Sequence, residues 1–315
     1  GEEVPLDDPD VRERVEKDFF LLLDDEAQMI LWLKRSGRVF PTIERELKKA
    51  SLPDDLKYLP VVESGLRPLV RSRAGANGFW QFIASTGKRF DLSISSWLDE
   101  RQSLSQATEA AIKYLSYLKK YFGTWALAMA AYNCGEGRLR QAIKKQGKLP
   151  YYDLVLPRET ERYVIRIAVV KELMSRHGHY YGAALDESAR YQEPPKHTLF
   201  IKTGAHSLRL TTLASLCKTH LREIKRLNPY LKGPAIPAGK TVRISIPPQA
   251  AKTFPEELQR WKKRPAKKGT SRRKKYYTVQ RGDTLFKISK EIGVSVSRLL
   301  KLNRLGKSTH IQVGQ

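Results

Sequence analysis

The chain has 315 residues, 41% of them hydrophobic, and a formal net charge of +25. Its length leaves room for two or three domains, and its apolar content excludes a wholly disordered chain. Lysine and arginine outnumber acidic residues by only 30 to 27 in residues 1–190 but by 28 to 6 in residues 191–315. Such an excess of positive charge indicates a polyanionic partner, and the C-terminal part is the part expected to bind it.

The N-terminal part is predicted to consist of successive helices. Apolar residues recur at helical spacing from about Val11 to Leu33, and a second helix is predicted from Pro41 to about Ala50. The next predicted helix is short, carries Glu63 in its last turn and ends at Gly65, a residue suited to a helix terminus. The Glu63 carboxylate is therefore expected at a helix end, facing a cleft that the following segment lines.

Helical patterns continue through the rest of this part. Residues 71–78 are rich in Arg, Ala and Gly and predict a loop, while residues 105–122 form an amphipathic pattern. Residues 125–132 are almost wholly apolar and predict a buried central helix, and residues 158–176 predict the last long one. No convincing strand pattern precedes about residue 196, so this region is predicted to be nearly all helical.

The pattern changes after residue 194. Strand-like runs at 197–201 and 242–246 enclose helical signals at 211–218 and 221–227, which gives the order strand, helix, helix, strand. This segment lacks a Gly-Asp pair before its first helix, whereas the βααβ segment that follows at residues 276–315 has one. We therefore expect it to act as a spacer rather than as a binding domain.

A second βααβ pattern occupies residues 276–315. Its first strand is predicted at Tyr277–Val279, and two helices follow. The turn into the first helix and the end of the second are marked by Gly282, Asp283, Thr284, Leu285 and Asn303. The final strand is expected to be missing, because the chain stops at Gln315 in mid-pattern. The preceding basic segment lacks hydrophobic periodicity and predicts a flexible linker.

Glu63 is the residue that points most clearly to chemistry. It stands among apolar residues, and the aromatic and amide-rich segments Gly78–Phe82 and Ala131–Gly135 follow it. A carboxyl group stays protonated near neutral pH only where burial disfavours its charge, and Trp80 and Phe82 could supply an apolar wall. These features favour a general acid that acts on a glycosidic bond.

Four segments in this order resemble the lysozyme-like lytic transglycosylases of bacterial cell-wall metabolism. They are Glu63-Ser64, Gly78–Gln81, Ala131–Gly135 and Glu159–Val164. The resemblance covers about residues 5–182. The two βααβ patterns resemble lysin motif (LysM) domains, the second more closely than the first.

These resemblances imply a mainly α chain. A lysozyme-like helical catalytic domain with an N-terminal helical segment would occupy residues 1–190, followed by a degenerate LysM-like domain at 191–250. A basic linker at 251–275 would lead to a truncated LysM domain at 276–315. The chain is thus expected to be an enzyme with one or two small glycan-binding appendages.

The resemblance also implies a mechanism that needs one carboxylate. Glu63 would act first as acid and then as base on the β-1,4 bond between N-acetylmuramic acid and N-acetylglucosamine, leaving a 1,6-anhydro end. The implied substrate-binding residues are Ser64, Trp80, Gln81, Tyr132, Asn133, Tyr151 and Tyr163. In the LysM domain, glycan would contact Gly282, Asp283, Thr284, Leu285 and Asn303.

Two other functions remain open at this point. A lysozyme-type hydrolase, acting on normal or deacetylated peptidoglycan, would use Glu63 together with a second carboxylate at about 5–10 Å. The visible candidates for that second group are Glu109, Glu136, Glu159 and Glu161. A protein of another class, a non-catalytic cell-wall-binding protein, would need no acid at all.

The remaining features limit the partners. No apolar run reaches the roughly 18 residues of a membrane span, and no nucleic-acid-binding motif accompanies the basic charge, so neither a transmembrane segment nor a specific nucleic acid is expected. Cys134 and Cys217 form no metal spacing, and His177 and His179 lack a third ligand, so we expect no metal and no cofactor.

The expected partner is therefore the glycan strand of peptidoglycan, with the basic linker able to hold an anionic envelope surface. The resemblance implies a location in the periplasm or cell envelope, or secretion. No signal peptide stands in the chain, and we expect it to have been removed.

Overall fold

The computed structural model describes residues 2–182, 189–263, 276–306 and 308–315. These residues form two compact units, one ending at Lys263 and the other containing the residues from Tyr276 onward. Part of the predicted linker at 251–275 belongs to the first unit, and its residues 264–275 lie outside the described ranges. That first part is a helix because Phe254 and Leu258 are buried in the core of the preceding module.

Helices build the N-terminal part of the first unit, as the sequence predicts. The α-helices are α1 (Pro9–Asp24), α2 (Glu26–Lys49), α3 (Leu59–Ser64), α4 (Ala84–Arg89), α5 (Leu104–Phe122), α6 (Trp125–Cys134), α7 (Glu136–Gln146), α8 (Arg158–Ser175) and α9 (His177–Tyr181). Short 3₁₀ helices occur at Asp54–Tyr58, Glu100–Gln102 and Tyr151–Asp153. The predicted central helix is confirmed as α6, which packs between α5 and α8.

The predicted division between the first two helices is wrong. The chain breaks at Asp25, whose side chain accepts a hydrogen bond from Gln28 N at 3.2 Å, and α2 then continues through Pro41. A proline inside a helix removes one backbone hydrogen bond. Packing outweighs that local cost, because most helix stability in proteins comes from burying an apolar face. The buried apolar residues of α2 are Met29, Trp32, Leu33, Val39, Ile43 and Leu47.

The second half of the first unit is a βααβ module. Its strands and helices are β1 (His197–Lys202), β2 (Leu208–Arg209), α10 (Leu210–Leu216), α11 (Leu221–Leu227), β3 (Ala235–Ile236) and β4 (Thr241–Ile246), followed by a 3₁₀ helix at Pro248–Ala250 and by α12 (Phe254–Lys262). β1 pairs antiparallel with β4 from His197 opposite Ile246, and β2 pairs with β3. The predicted order of outer strands and helices is confirmed.

Backbone hydrogen bonds join this module to the helical part. Asp99 N donates to Tyr230 O at 2.9 Å, and Gly233 N donates to Trp97 O at 3.1 Å. A Cβ at Gly233 would lie 2.9 Å from Trp97 Cβ, so the contact requires glycine. The module is therefore fixed against the helical part.

The second unit contains α13 (Leu285–Ile292) and α14 (Val296–Leu302) around a small apolar core. The strand predicted at 277–279 is not assigned among its described residues. Val279 instead exchanges backbone hydrogen bonds with the C-terminal end, donating to Gln315 O at 3.0 Å and accepting from Gly314 N at 2.8 Å. The C-terminal residues therefore lie beside the first segment of the unit.

Candidate active site

A cleft of about 930 Å³ opens in the helical part of the first unit. The end of α3, the loop that precedes α4, the C-terminal turn of α6 and the first turns of α8 form its walls. Its lining residues include Val62, Glu63, Ser72, Arg73, Gln81, Phe82, Thr86, Tyr114, Tyr132, Asn133, Cys134, Glu159, Arg162, Tyr163 and Arg166. Five of the predicted site residues are thus brought together: Glu63, Gln81, Tyr132, Asn133 and Tyr163.

Helix α3 places Glu63 at this cleft because most of its other positions are buried. Leu59 and Val61 are completely buried in the core. The side chains of Val62 and Glu63, which come next in the chain, line the cavity. Gly65 ends the helix in the left-handed conformation, with φ of +57°, and this confirms the predicted terminator. Glu63 is half-buried and remains in contact with the cleft.

The electrostatic setting of Glu63 favours its neutral form. Burial, the largest cause, and the negative charge of Glu159 raise the pKa of the Glu63 carboxyl, whereas a hydrogen bond from the Tyr163 hydroxyl lowers it, and the net result is a pKa of about 7. Within the described ranges, no lysine, arginine or histidine forms an ion pair with this carboxyl. Burial without an ion-pair partner is the arrangement that keeps a carboxylic acid protonated near neutral pH.

Two tyrosines from different helices border the acid. Tyr163 of α8 donates its hydroxyl to Glu63, and Tyr132 of α6 donates to Trp80 O at 2.7 Å. Burial first, and then the charge of Glu63, hold the pKa of both phenols well above its usual value. Both remain neutral hydroxyl groups that can donate hydrogen bonds near the acid.

Gln81 holds the loop that forms the opposite wall. Its Nε2 donates to Val70 O at 3.0 Å and to Gly78 O at 2.8 Å, and its backbone has a positive φ of 47°. Gly78 permits this turn, because a Cβ there would lie 1.7 Å from Arg101 O. With its amide nitrogen engaged by the backbone, the side chain of Gln81 can offer its oxygen to a ligand as an acceptor.

Asn133 stands at the end of α6 with its amide oriented by α8. Thr160 Oγ1 donates to Asn133 Oδ1 at 2.7 Å, and Asn133 Nδ2 lies 3.5 Å from Glu159 Oε1. These contacts fix which end of the amide is the donor toward the cleft. The segments Ala131–Gly135 and Glu159–Val164 therefore act together in forming one wall.

Three other predicted site residues do not line the cleft. Ser64 is buried and its hydroxyl donates to Pro60 O at 3.0 Å and Phe79 O at 2.8 Å, so it ties α3 to the opposite loop. Trp80 is completely buried and donates to Thr108 Oγ1 at 3.0 Å, and Tyr151 donates to the backbone of α8. The structure corrects the prediction that these aromatic rings present flat faces to sugars, because core packing covers them.

The cleft also contains residues that the sequence reasoning missed. They are Tyr114, Arg73, Arg162 and Arg166. Arg162 also forms an ion pair with the buried carboxylate of Asp18 in α1. Helical spacing could have found one of them, Arg166, because residues three and four apart share one face of a helix. Once Tyr163 is placed at the cleft, Arg166 and Glu159 follow on the same face of α8.

Comparison with known proteins agrees with this arrangement. Residues 40–155 match the family model of the transglycosylase SLT domain, and residues 277–315 match that of the LysM domain. The chain contains an SLT domain and a C-terminal LysM domain. Together with the helical architecture, these matches confirm the predicted fold class: mainly α, with a lysozyme-like helical domain and a small LysM domain.

Relatives extend the similarity over most of the chain. Membrane-bound lytic murein transglycosylase D of Escherichia coli (strain K12) is 30% identical over 283 residues, which cover 87% of this chain and 61% of that protein. A putative tributyltin chloride resistance protein of Alteromonas sp. (strain M-1) is 40% identical over 118 residues, 36% of this chain and 56% of that one. The chain thus spans about three fifths of the length of the first relative.

Solved structures are also similar in part. The 70 kDa soluble lytic transglycosylase of Escherichia coli is 20% identical, with a TM-score of 0.38 over 48% of this chain and 25% of its own. An inactive mutant of the lytic transglycosylase Slt from Pseudomonas aeruginosa is 24% identical, with a TM-score of 0.35 over 49% of this chain and 26% of its own.

The predicted LysM glycan residues have structural partners of their own. Asp283 accepts from Tyr277 Oη at 2.8 Å, Thr284 Oγ1 accepts from Lys287 N at 3.2 Å at the start of α13, and Leu285 is buried. Gly282 has a positive φ of 89°. Asn303 Nδ2 donates to Leu299 O at 2.9 Å at the end of α14. Their contact with glycan stays a prediction.

Two further features bear on possible metal and membrane partners. Across the described ranges, no group of three or more His, Cys, Asp or Glu side chains could hold a metal ion. His177 of the His-x-His pair contacts Met174 O at 3.0 Å through Nδ1. No helix in the part of the chain that the structure describes has both the length and the apolar character of a membrane span.

Proposed function

We propose that this chain is a peptidoglycan lytic transglycosylase. It cleaves the β-1,4 bond between N-acetylmuramic acid and N-acetylglucosamine, and Glu63 serves as acid and then as base. The observation that carries the proposal is the Glu63 carboxyl: it is half-buried at the cleft, has no ion-pair partner among the described residues, and has its pKa raised to about 7. Such a group can both give and take a proton at neutral pH.

In the first step, Glu63 donates its proton to the glycosidic oxygen. The bond between that oxygen and the anomeric carbon of the muramic acid residue breaks, and an oxocarbenium-like centre develops on the sugar. Proton donation leaves Glu63 as a carboxylate, whose negative charge stabilises the developing positive charge. The Tyr163 hydroxyl keeps the carboxylate oriented during this change.

In the second step, the Glu63 carboxylate accepts the proton of the C6 hydroxyl of the same muramic acid residue. The C6 oxygen attacks the anomeric carbon and closes a 1,6-anhydro ring. Water is not consumed, and Glu63 regains the proton that it gave. One carboxyl group therefore completes the cycle.

The other cleft residues position the glycan in this proposal. The Gln81 oxygen accepts from an N-acetyl N–H or a hydroxyl, and the Asn133 amide binds a second such group. Tyr132 borders the cleaved bond beside Glu63. Ser64, Trp80 and Tyr151 act indirectly, because their contacts hold α3, the loop before α4 and α8 in place.

A lysozyme-type hydrolase is the second candidate, and the position of Glu159 favours it specifically. Glu159 lines the same cleft and raises the pKa of Glu63, so it is near enough to act on the site. In a hydrolase it would activate water or form a covalent bond to the sugar. Among the four carboxylates considered from the sequence, Glu159 is the one that lines this cleft.

The appendages give the proposed enzyme its partners and location. The LysM domain binds the glycan strands of peptidoglycan, and the basic segment 264–275 holds an anionic surface of the envelope. The site of action is the periplasm or cell envelope. The relative of similar sequence is named as membrane-bound, which supports an envelope location.

Mass spectrometry of muropeptides released from purified sacculi tests the proposal. We expect products that end in 1,6-anhydromuramic acid, each lighter by one water molecule than its hydrolysed counterpart. Reducing muramic acid ends would contradict a transglycosylase and favour the hydrolase. Absence of any released fragment, while the protein still binds sacculi, would favour a non-catalytic wall-binding protein.

A further inference from the structure

A second cavity, of about 380 Å³, lies between the helical part and the βααβ module of the first unit. We call it the interdomain groove. Its helical side is formed by residues of α2, the loop after α3 and the start of α5, and its other side by the end of α11 and β4. Its lining residues include Arg38, Leu69, Phe79, Lys196, Lys225, Arg226, Tyr230 and Arg243.

Among the residues that the structure describes, five cations and one carboxylate, that of Glu193, line this groove. Three of the cations form ion pairs with carboxylates: Lys196 with Glu193, Arg226 with Glu223 at 2.7 Å, and Arg243 with Glu109 at 3.7 Å.

The other two cations have no carboxylate partner among the described residues. The Arg38 guanidinium lies over the Tyr191 ring, 5.3 Å from its centroid. Lys225 Nζ donates to Leu231 O at 2.6 Å. The groove therefore has a positive potential that the described residues do not neutralise.

Neighbouring arginines strengthen this potential. Arg35 and Arg67 donate to the backbone oxygens of Gly65 and Ser64, each at 3.0 Å. The pKa of Arg35 is lowered, first by burial and then by the charges of Arg67 and Arg38. Like charges gathered at one place are stabilised by a bound anion, because the anion offsets their repulsion.

The floor of the groove is apolar. Phe79 and Tyr230 are buried beneath it, and Leu69 beside it is 65% exposed. An anionic ligand with small apolar groups would cover this surface while its carboxylates meet the cations. Carboxylates pair well with guanidinium groups in two-point hydrogen bonds.

The groove shares one loop with the active-site cleft. Leu69 lies at the groove, and the next residue, Val70, accepts the Gln81 hydrogen bond at the cleft wall. Phe79 of the groove and Gln81 of the cleft are two residues apart. A ligand bound in the groove therefore contacts the back of the loop whose front faces the glycan.

We infer that the interdomain groove binds the acidic stem peptide of peptidoglycan, an inference that rests on the proposed function. That peptide carries several carboxylates and small methyl side chains, which match the cationic rim and the apolar floor. The βααβ module, expected to be only a spacer, then supplies half of a peptide-binding site. Arg38, which has no carboxylate partner among the described residues, and Arg243, where a peptide carboxylate would replace Glu109 at 3.7 Å, are the carboxylate-binding residues on its two sides.

Binding of a fluorescent stem peptide to the full chain tests the inference. The probe is N-acetylated L-Ala–γ-D-Glu–meso-diaminopimelate–D-Ala, and its matched control is the same peptide with carboxamides in place of carboxylates. The test variant is Arg38→Gln with Arg243→Gln. Its control is Arg45→Gln with Arg222→Gln, which removes exposed arginines from α2 and α11 that do not line the groove.

We expect fluorescence anisotropy to show binding of the acid peptide by the wild-type chain and by the control variant, within about twofold of each other. The test variant should bind roughly tenfold more weakly or worse, the loss typical of one charge-assisted hydrogen bond. The carboxamide peptide should show a similar loss with the wild-type chain. The inference would be overturned if the wild-type chain bound the acid and carboxamide peptides equally, or if the test and control variants bound the acid peptide equally. It would also be overturned if the wild-type chain bound polyphosphate but not the acid peptide.

A second readout separates this inference from the proposed function. The second readout is the cleavage rate on peptide-bearing strands divided by the rate on strands stripped of peptide. We expect this ratio to fall in the test variant and to stay unchanged in the control variant. Anhydro products without peptide binding would overturn the inference and leave the proposed function intact. Peptide binding without cleavage would refute the function and leave the groove assignment intact.

Discussion

Two carboxyl groups in the first unit are withdrawn from solvent and yet differ in protonation. Glu63 lies at the cleft without an ion-pair partner among the described residues, and its pKa is raised to about 7. Asp99 is buried beside Arg101, whose Nη2 lies 2.8 Å from Asp99 Oδ2. Burial by itself raises the pKa of Asp99, but the hydrogen bonds and charge of Arg101 outweigh it and leave the pKa below the ordinary value.

The difference shows how one kind of side chain serves two purposes. A buried carboxyl without an ion-pair partner exchanges its proton near neutral pH, which suits chemistry. A buried carboxylate with a partner stays charged and holds structure. Arg101 Nη1 also donates to Gly75 O and Phe82 O, each at 3.0 Å, so the Asp99 pair supports the loop that forms the wall of the Glu63 cleft.

The largest expected effect comes from breaking the structural pair. Arg101→Met should lower the free energy of unfolding by about 3–5 kcal/mol, because it leaves the Asp99 charge buried without its partner. Urea denaturation at pH 7 measures the loss. The control is Lys113→Met, which removes an exposed pair with Asp91 and should cost less than about 1 kcal/mol. A similar cost for both variants would refute the structural role of the Asp99 pair.

The pH dependence of this pair has a definite sign. Because the folded pKa of Asp99 lies below its unfolded value, the pair contributes stability above the ordinary range of aspartate, and that stability is lost as the pH falls through the folded pKa. The difference in free energy of unfolding between wild type and Arg101→Met should therefore shrink in acid. A difference that stays constant down to strongly acidic pH would contradict the assignment.

Replacing the unpaired carboxyl should have the opposite effect on stability. The pKa of Glu63 is raised from 4.5 to about 7, so wild-type stability falls as the pH rises through that interval. Glu63→Gln removes this penalty and should raise the free energy of unfolding by about 2 kcal/mol at pH 8, after allowance for solvent screening. Below about pH 4.5 the gain should vanish. Melting curves at pH 4.5 and 8 measure both, and a variant less stable at pH 8 would refute the unpaired setting.

Tyr163→Phe sharpens the comparison through the pH profile of activity. The Tyr163 hydrogen bond lowers the pKa of Glu63, so its removal should move the alkaline limb of the rate profile to higher pH. The rate of release of soluble fragments from labelled sacculi, measured between pH 5 and 9, gives that limb. A limb that moves to lower pH would show that Tyr163 does not act on the acid.

Glu159→Gln should have the smallest effect. The Glu159 charge raises the pKa of Glu63, so its loss should move the same alkaline limb slightly to lower pH. Under the one-carboxylate mechanism the products keep their anhydro ends. Complete loss of activity in this variant, with its fold retained, would instead assign Glu159 a catalytic role and favour the hydrolase.

Much of the helical fold could be predicted from the pattern of apolar residues. The central helix α6 and the end of α3 at Gly65 follow from local sequence. The continuation of α2 through Pro41 could not be predicted, because burial of its apolar face by the rest of the protein outweighs the local preference.

The part of the candidate site that consists of motif residues could be predicted from the sequence. Glu63, Gln81, Tyr132, Asn133 and Tyr163 converge on one cleft, although their segments are distant in the chain. Burial was not predictable at the remaining positions. An aromatic residue in a motif can face a ligand or the core, and only tertiary packing decides this for Trp80 and Tyr151.

Ion pairs were the least predictable feature. Asp99 and Arg101 look like ordinary surface charges in sequence, since charged residues are mostly exposed. Their burial depends on the loop carbonyls of Gly75 and Phe82 and on the contact of Asp99 N with Tyr230 O of the βααβ module. Such partners are set by the assembled fold rather than by neighbours in the chain.

The claim that Glu63 donates the proton is tested most directly by the activity of Glu63→Gln on purified sacculi near neutral pH. The amide fills almost the same space and can still accept the Tyr163 hydrogen bond, but it cannot donate a proton to the glycosidic oxygen. We predict that fragment release falls by at least about a thousandfold, while the melting curve shows an intact fold. Release within tenfold of the wild-type rate would contradict the assignment of Glu63 as the acid.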